Sequence, residues 1–243
     1  TSTATTSMYV AVSVDDAVRV EELPMTGRAV AAEFLATAFL LIAVVGSGIM
    51  AERLSGGNAA LALLANALAT GGALFALIVA FGPQSCAHLN PLVTLAAGIV
   101  GQFPRALVPA YIAAQLAGAV AGVFIAHAMF GTTLFELGTH ARTGGGQWVA
   151  EAVATFGLLA IVGGARAQAT DVIAAAVAAY ITGAYWFTAS TSFANPAVTV
   201  ARALTDSFAG IRPMDVPGFI AAQVAGFALA LVWLRAGAKE APR

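Results

Sequence analysis

Two Asn-Pro dipeptides, Asn90-Pro91 and Asn195-Pro196, are the residues best placed to do chemistry in this chain. An asparagine amide both donates and accepts hydrogen bonds. Followed by proline it also starts a helix, because Asn caps the first turn and Pro is preorganised to enter it. Leu92 follows the first pair and Ala197 the second. Five further polar groups sit in or beside apolar stretches: Glu33, Glu151, His88, Gln115 and Gln223. Paired carboxylates are one way to build a general acid and base. No serine–histidine constellation accompanies them, however, so no catalytic residue is assigned. His88, His127, His140 and the single Cys86 are too scattered for metal-ligand spacing, so neither a metal nor a cofactor is expected.

The elements around these residues are long and apolar. A helix needs roughly 20 apolar residues to cross the hydrocarbon core of a bilayer. Stretches near Val30–Met50, Ala59–Phe81, Ala106–Phe130, Trp148–Gly164, Val172–Ala189 and Val216–Leu234 meet that length and predict six spans. Asn90–Ile99 and Asn195–Leu204 are too short to cross and predict half-helices. The fold class expected is therefore an all-α membrane protein.

An internal repeat orders these pieces. AEFLATAFLLIAVVGSG around Glu33 is similar to AEAVATFGLLAIVGGA around Glu151, HLNPLVTLA to FANPAVTVA, and AAQLAG around Gln115 to AAQVAG around Gln223. The offsets agree within about a dozen residues (151 − 33 = 118, 195 − 90 = 105, 223 − 115 = 108). The division expected is a first repeat over 30–130, a connecting loop over 131–146 and a second repeat over 147–234. Tails occupy 1–29 and 235–243. Three spans per repeat is an odd number, so the two halves lie inverted in the membrane. Their short segments then enter from opposite faces and meet near the midplane. Non-helical backbone is tolerated at that depth only inside protein or along a wet cavity, which points to a pore.

Composition supports this setting. The 243 residues are 60% hydrophobic and 9% charged, with mean hydropathy +0.87. Soluble domains carry about a quarter charged residues, so this chain is solvated mainly by lipid. A formal net charge of −1 gives no basic surplus for a nucleic-acid partner. The N-terminal 29 residues contain Asp15, Asp16, Arg19, Glu21, Glu22 and Arg28, and do not follow a signal-peptide pattern. They read as a mobile cytoplasmic tail; Thr1–Ser7 is open to reading as an added segment, with Met8 or Met25 nearer the native start. With that tail inside, Arg19, Arg28, Arg105, Arg166, Arg235, Lys239 and Arg243 fall on the cytoplasmic side. Arg53, Arg142, Arg202 and Arg212 fall outside, a bias that places both termini in the cytoplasm.

Two Asn-Pro motifs at equivalent repeat positions in a six-span chain resemble the major intrinsic proteins, the aquaporins and aquaglyceroporins, from about Val30 to Leu234. The resemblance implies an aquaporin-like fold with two re-entrant half-helices, and a homotetramer with one pore per protomer. Asn90 and Asn195 would orient solute at the pore centre, each also capping its own helix. Glu33 and Glu151 would accept hydrogen bonds from the re-entrant loops. His88 would brace its loop and face the vestibule, while Gln115 and Gln223 would buttress the loops or hold contacts between repeats.

The family's four constriction positions fall on Thr70, Gly183, Ser192 and Val198. Val198 stands where nearly all members carry arginine. The set is small, uncharged and less polar than a water-selective gate, so solutes larger than water are expected to fit. Arg202 lies one helical turn beyond Val198, and two readings stay open: it reaches back to replace the missing charge, or it points into protein. Leu92 replaces the usual alanine and either repacks against neighbouring spans or narrows the pore. The stretch STSFANPAVTVARALTDSFAGI is similar to bacterial aquaglyceroporins associated with arsenic resistance. This implies a passive bidirectional channel in a bacterial-type inner membrane for undissociated arsenite and methylated arsenicals, with glycerol, urea and water as further solutes. The alternatives are an ion-coupled secondary transporter, which would need ion ligands beyond Glu33 and Glu151, a plain water channel, and a non-conducting junction protein.

Overall fold

The computed structural model describes residues 27–239; the N-terminal tail up to residue 26 and the last four residues, including Arg243, lie outside that range. Eight α-helices follow in order: α1 (Gly27–Leu54), α2 (Ala59–Ser85), α3 (Pro91–Ile99), α4 (Val108–Phe130), α5 (Gly145–Gly164), α6 (Thr170–Phe187), α7 (Pro196–Arg202) and α8 (Val216–Lys239). Six of them are long and apolar enough to cross a membrane, and α3 and α7 are the two short pieces. Large apolar side chains such as Leu54, Leu68, Met129, Val149 and Val232 face outward, as lipid contact requires.

The helix ends follow local chemistry. Asn58 caps α2 by accepting from Leu61 N, and Asn90 and Asn195 cap α3 and α7 with Pro91 and Pro196 in the first turn. Helix α2 tolerates Pro83 and runs to Ser85, four residues past the predicted Phe81, where Cys86 turns left-handed at φ 65°. Helix α5 starts at Gly145, three residues before the predicted Trp148. Helix α7 stops at Arg202, two residues short of the predicted Leu204.

Packing repeats between the halves. Helix α1 lies on α4 and on α2, α5 lies on α8, and α2 and α6 join the halves. In both halves glycine allows a close helix crossing, Gly118 and Gly122 in the first and Gly226 in the second. A Cβ on Gly118 would collide with the Phe34 carbonyl of α1, and one on Gly226 with the Ala152 carbonyl of α5. In lipid such close van der Waals contact, rather than hydrophobic exclusion, holds helices together.

Candidate functional site

The two re-entrant loops share one backbone. Cys86, Ala87 and Leu89 have positive φ, and so do Thr191, Ser192 and Ala194, each 105 positions later (191 − 86, 192 − 87, 194 − 89). None of the six is glycine. Left-handed geometry costs a non-glycine residue roughly 1–2 kcal/mol, so each loop needs strong local support. The buried glutamates provide it. Glu33 accepts from Ser85 Oγ (2.8 Å), His88 N (2.8 Å), Leu89 N (2.9 Å) and Gln115 Nε2 (2.7 Å). Glu151 accepts from Phe193 N (2.8 Å), Ala194 N (2.9 Å) and Gln223 Nε2 (2.6 Å). A carboxylate turns loop N–H groups inward with charge-assisted bonds, and those bonds offset its own desolvation. Gln115 and Gln223 also reach Thr94 Oγ1 and Thr199 Oγ1 in the half-helices, at 2.9 and 2.8 Å.

The asparagines then tie one loop to the other. Asn90 Nδ2 donates to Ala194 O and Asn195 Nδ2 donates to Leu89 O, both at 2.8 Å. Each Oδ1 is occupied by its own helix: Asn90 by Leu92 N, Asn195 by Ala197 N and Val198 N. An amide carries two N–H donors, so one remains on each asparagine for a solute.

Both asparagines line a cavity of about 110 Å³. Its wall includes Cys86 and His88 of the first loop, the two asparagines, and Thr70, Tyr185, Ser192 and Val198. Leu40, Val44, Leu74, Ile78, Val93, Leu158, Val177 and Ile181 make the remainder mostly apolar. Such a wall offers a passing solute few hydrogen bonds except at the two loops and at Thr70 and Tyr185, and its apolar stretches disfavour a bare ion. Glu33 and Glu151 are fully buried and absent from the wall. They serve as loop anchors rather than as ion ligands along the path.

Thr70, Ser192 and Val198 stand together on the wall, and Gly183 does not. A Cβ at Gly183 would meet only the Phe187 ring, at 3.6 Å, whereas Tyr185 lies on the wall and shares a hydrogen bond with Thr70 Oγ1 at 3.1 Å. Gly183, the expected fifth-span position, is thus absent from the wall, and Tyr185 lies on it two residues further along. Val93 faces the cavity while Leu92 packs in the hydrophobic core, so the wall gains nothing from the departure at Leu92. Pro91, Pro196 and Ala197 are likewise off the wall and serve the helix starts. His88 lines the cavity, its N donates to Glu33, and its Nδ1 lies 3.1 Å from Thr94 Oγ1.

Arg202 takes a position between the two sequence expectations. It reaches the edge of the cavity, yet it is 1% exposed. Its guanidinium stacks over the Phe193 ring, 3.5 Å from the centroid, and its Nε donates to Ala209 O. Arg142, from the loop between the halves, packs against the same ring at 5.2 Å. It also donates to the Gly210, Phe208 and Ser190 carbonyls. No local sequence signal marks the roles of Arg142 and Tyr185. An arginine amid a mixed loop looks solvated, and a tyrosine near a span end looks interfacial.

Comparison with known proteins agrees with this geometry. The profile of the major intrinsic protein family matches residues 20–188. The aquaglyceroporin AqpS of Rhizobium meliloti (strain 1021) is 49% identical over 216 residues, covering 88% of this chain and 91% of that protein. Aquaporin NIP1-4 of Oryza sativa subsp. japonica is 38% identical over 146 residues, 58% of this chain and 50% of that one. The X-ray structure of the aquaglyceroporin from Plasmodium falciparum superposes with TM-score 0.65 at 21% identity, covering 86% and 94% of the two chains, and so shares the fold. This chain belongs to the major intrinsic protein family. It is a multi-pass membrane channel for small neutral solutes, and not an enzyme.

Proposed function

We propose that this channel passively conducts undissociated arsenite and methylated arsenicals, with glycerol, urea and water as further solutes. The observation that carries the reading is Val198. It lies on the cavity wall at the position where the family's arginine falls, and it is uncharged. Thr70 and Ser192 beside it offer hydroxyls without charge, so a bulky neutral molecule can trade hydration for them. The charge of Arg202 is withdrawn to the Phe193 ring and the Ala209 carbonyl rather than standing at the Val198 position. Similarity over 91% of an aquaglyceroporin supports a gate wider than water alone needs.

The setting that fits is a bacterial plasma membrane with both ends of the chain in the cytoplasm and four copies forming a homotetramer. Six crossings put both ends on one side. The arginines assigned outside are mostly engaged: Arg142 and Arg202 are buried, and Arg212 pairs with Asp215 at 2.9 Å. Arg53 stays exposed on that face, and the remaining free positive charge of the described loops falls on the opposite one.

The test is flux in proteoliposomes over a panel of water, glycerol, arsenite and methylated arsenicals, comparing the natural protein with Val198→Arg. A guanidinium in the path is expected to cut flux of the larger solutes by about tenfold or more while leaving water less affected. Equal permeation of every solute by the two proteins would remove the reading. Flux that followed a proton or sodium gradient would favour coupled transport instead.

A further inference from the structure

The geometry points to Tyr185 as the fourth wall of the outer constriction and as a residue that selects for hydroxyl-bearing solutes. This rests on the channel reading above and refines its gate.

The first observation is the register of α6. Ile173, Val177, Ile181 and Tyr185 all face the cavity at four-residue spacing, the repeat of one helix face. Gly183 is two residues from both Ile181 and Tyr185, about 200° around the helix from each. It cannot share their wall, and the space a side chain would take there leads to Phe187 rather than to the lumen. Tyr185, 3% exposed, fills the wall instead. A ring at this point limits the width of the gate in the way a glycine would not.

The second observation is the hydroxyl set. The Tyr185 hydroxyl lies 3.1 Å from Thr70 Oγ1, across from α6 to α2. Two hydroxyls sharing one bond use one proton between them, so one donor and several lone pairs remain. Ser192 lines the same wall, and its buried Oγ has no hydrogen-bond partner among the described residues. Buried hydroxyls are normally bonded, and an unpaired one facing a cavity is a place for a ligand's hydrogen bond. Thr70, Tyr185 and Ser192 therefore offer donors and acceptors together, with Val198 as the apolar surface. That combination suits a neutral solute whose hydroxyls both give and take hydrogen bonds, a polyol or an undissociated oxyacid. A solute with only acceptors, or an ion, gains less.

Ratios of solute flux to water flux decide this, because they do not depend on how much protein folds. Proteoliposomes with the natural chain, Tyr185→Phe, Tyr185→Ala and Gly183→Ala would be measured with water, glycerol and longer straight-chain polyols. Tyr185→Phe keeps the ring and removes one hydroxyl, so the glycerol-to-water ratio is expected to fall about two- to tenfold, the worth of one neutral hydrogen bond. Tyr185→Ala opens the wall, so four- and five-carbon polyols are expected to pass at least about threefold faster relative to glycerol. Gly183→Ala is expected to change neither ratio. Silence of both Tyr185 variants, or a lowered size limit in Gly183→Ala, would overturn the assignment. A natural channel that passes glycerol but not arsenite would end the arsenical reading and still leave the Tyr185 ratios to decide the wall.

Discussion

In the first half of the molecule the Ser85 carbonyl receives the Tyr111 hydroxyl at 3.2 Å; at the matching point in the second half, Ser190 O receives an Arg142 nitrogen at 3.4 Å. The residue that corresponds to Tyr111 is Phe219 (111 + 108 = 219), which has no hydroxyl to give. A loop arginine from between the repeats supplies the missing donor. The exchange continues outward. His88 stacks among Phe103 and Tyr111 in one half, and its counterpart Phe193 stacks on Phe219 under Arg142 and Arg202 in the other. The loop turns, the glutamates, the glutamines and the crossed asparagines are shared, whereas the aromatic and cationic surroundings are not. Shared parts make the centre where the two loops meet, and unshared parts distinguish the surroundings of each loop.

The largest effect is expected from breaking a shared part. Glu33→Gln or Glu151→Gln turns an acceptor into a donor against loop N–H groups, at a cost of about 3 kcal/mol or more. The thermal midpoint and folded yield of the solubilised protein should fall in both, further for Glu33, which holds four donors against three. Normal yield with altered solute ratios would instead make the glutamate a pore residue. A medium effect is expected from the unshared brace. Arg142→Leu should cost about 2 kcal/mol through the carbonyls it leaves unpaired. Adding Phe219→Tyr should restore about 1 kcal/mol by returning the phenol seen in the first half. Strictly additive losses in the double variant would mean that the two braces are not equivalent.

The smallest effect concerns the loop between the repeats that carries Arg142. The Arg212 guanidinium holds the Asp215 carboxyl below its ordinary value of 3.8, and the Arg142 backbone N–H adds to the pull. A depressed carboxylate contributes fully at neutral pH and loses that contribution as the pH falls through its folded value, below about 4. The natural protein should therefore lose slightly more thermal stability than Asp215→Asn on going from neutral pH to about pH 3.5. Parallel losses in the two proteins would show that the pair contributes nothing there.

Much of this was legible in the residues. Span lengths follow from bilayer thickness, and the offsets that pair Glu33 with Glu151 and Gln115 with Gln223 expose the repeat. The half-helix starts follow from Asn-Pro, whose capping geometry is local. The register of α6 against the pore was not legible. It depends on how the chain leaves the helix through Thr191, Ser192 and Ala194, which adopt left-handed turns without a glycine to announce them. Arg142 was hidden for a related reason. Its partners are carbonyls some 48 to 68 positions away, and no spacing rule reports a bond to a distant backbone.

The crossed bonds between Asn90 and Ala194 and between Asn195 and Leu89 have a consequence for the order in which the protein is made. The ribosome releases the first loop about a hundred residues before the second. Until the second arrives, Leu89 has no amide to receive and Asn90 no carbonyl to give to. The first repeat thus waits in the membrane with its central turn unfinished, and a chain cut between the halves would leave it so. Arrival of the second loop is what closes the channel's centre.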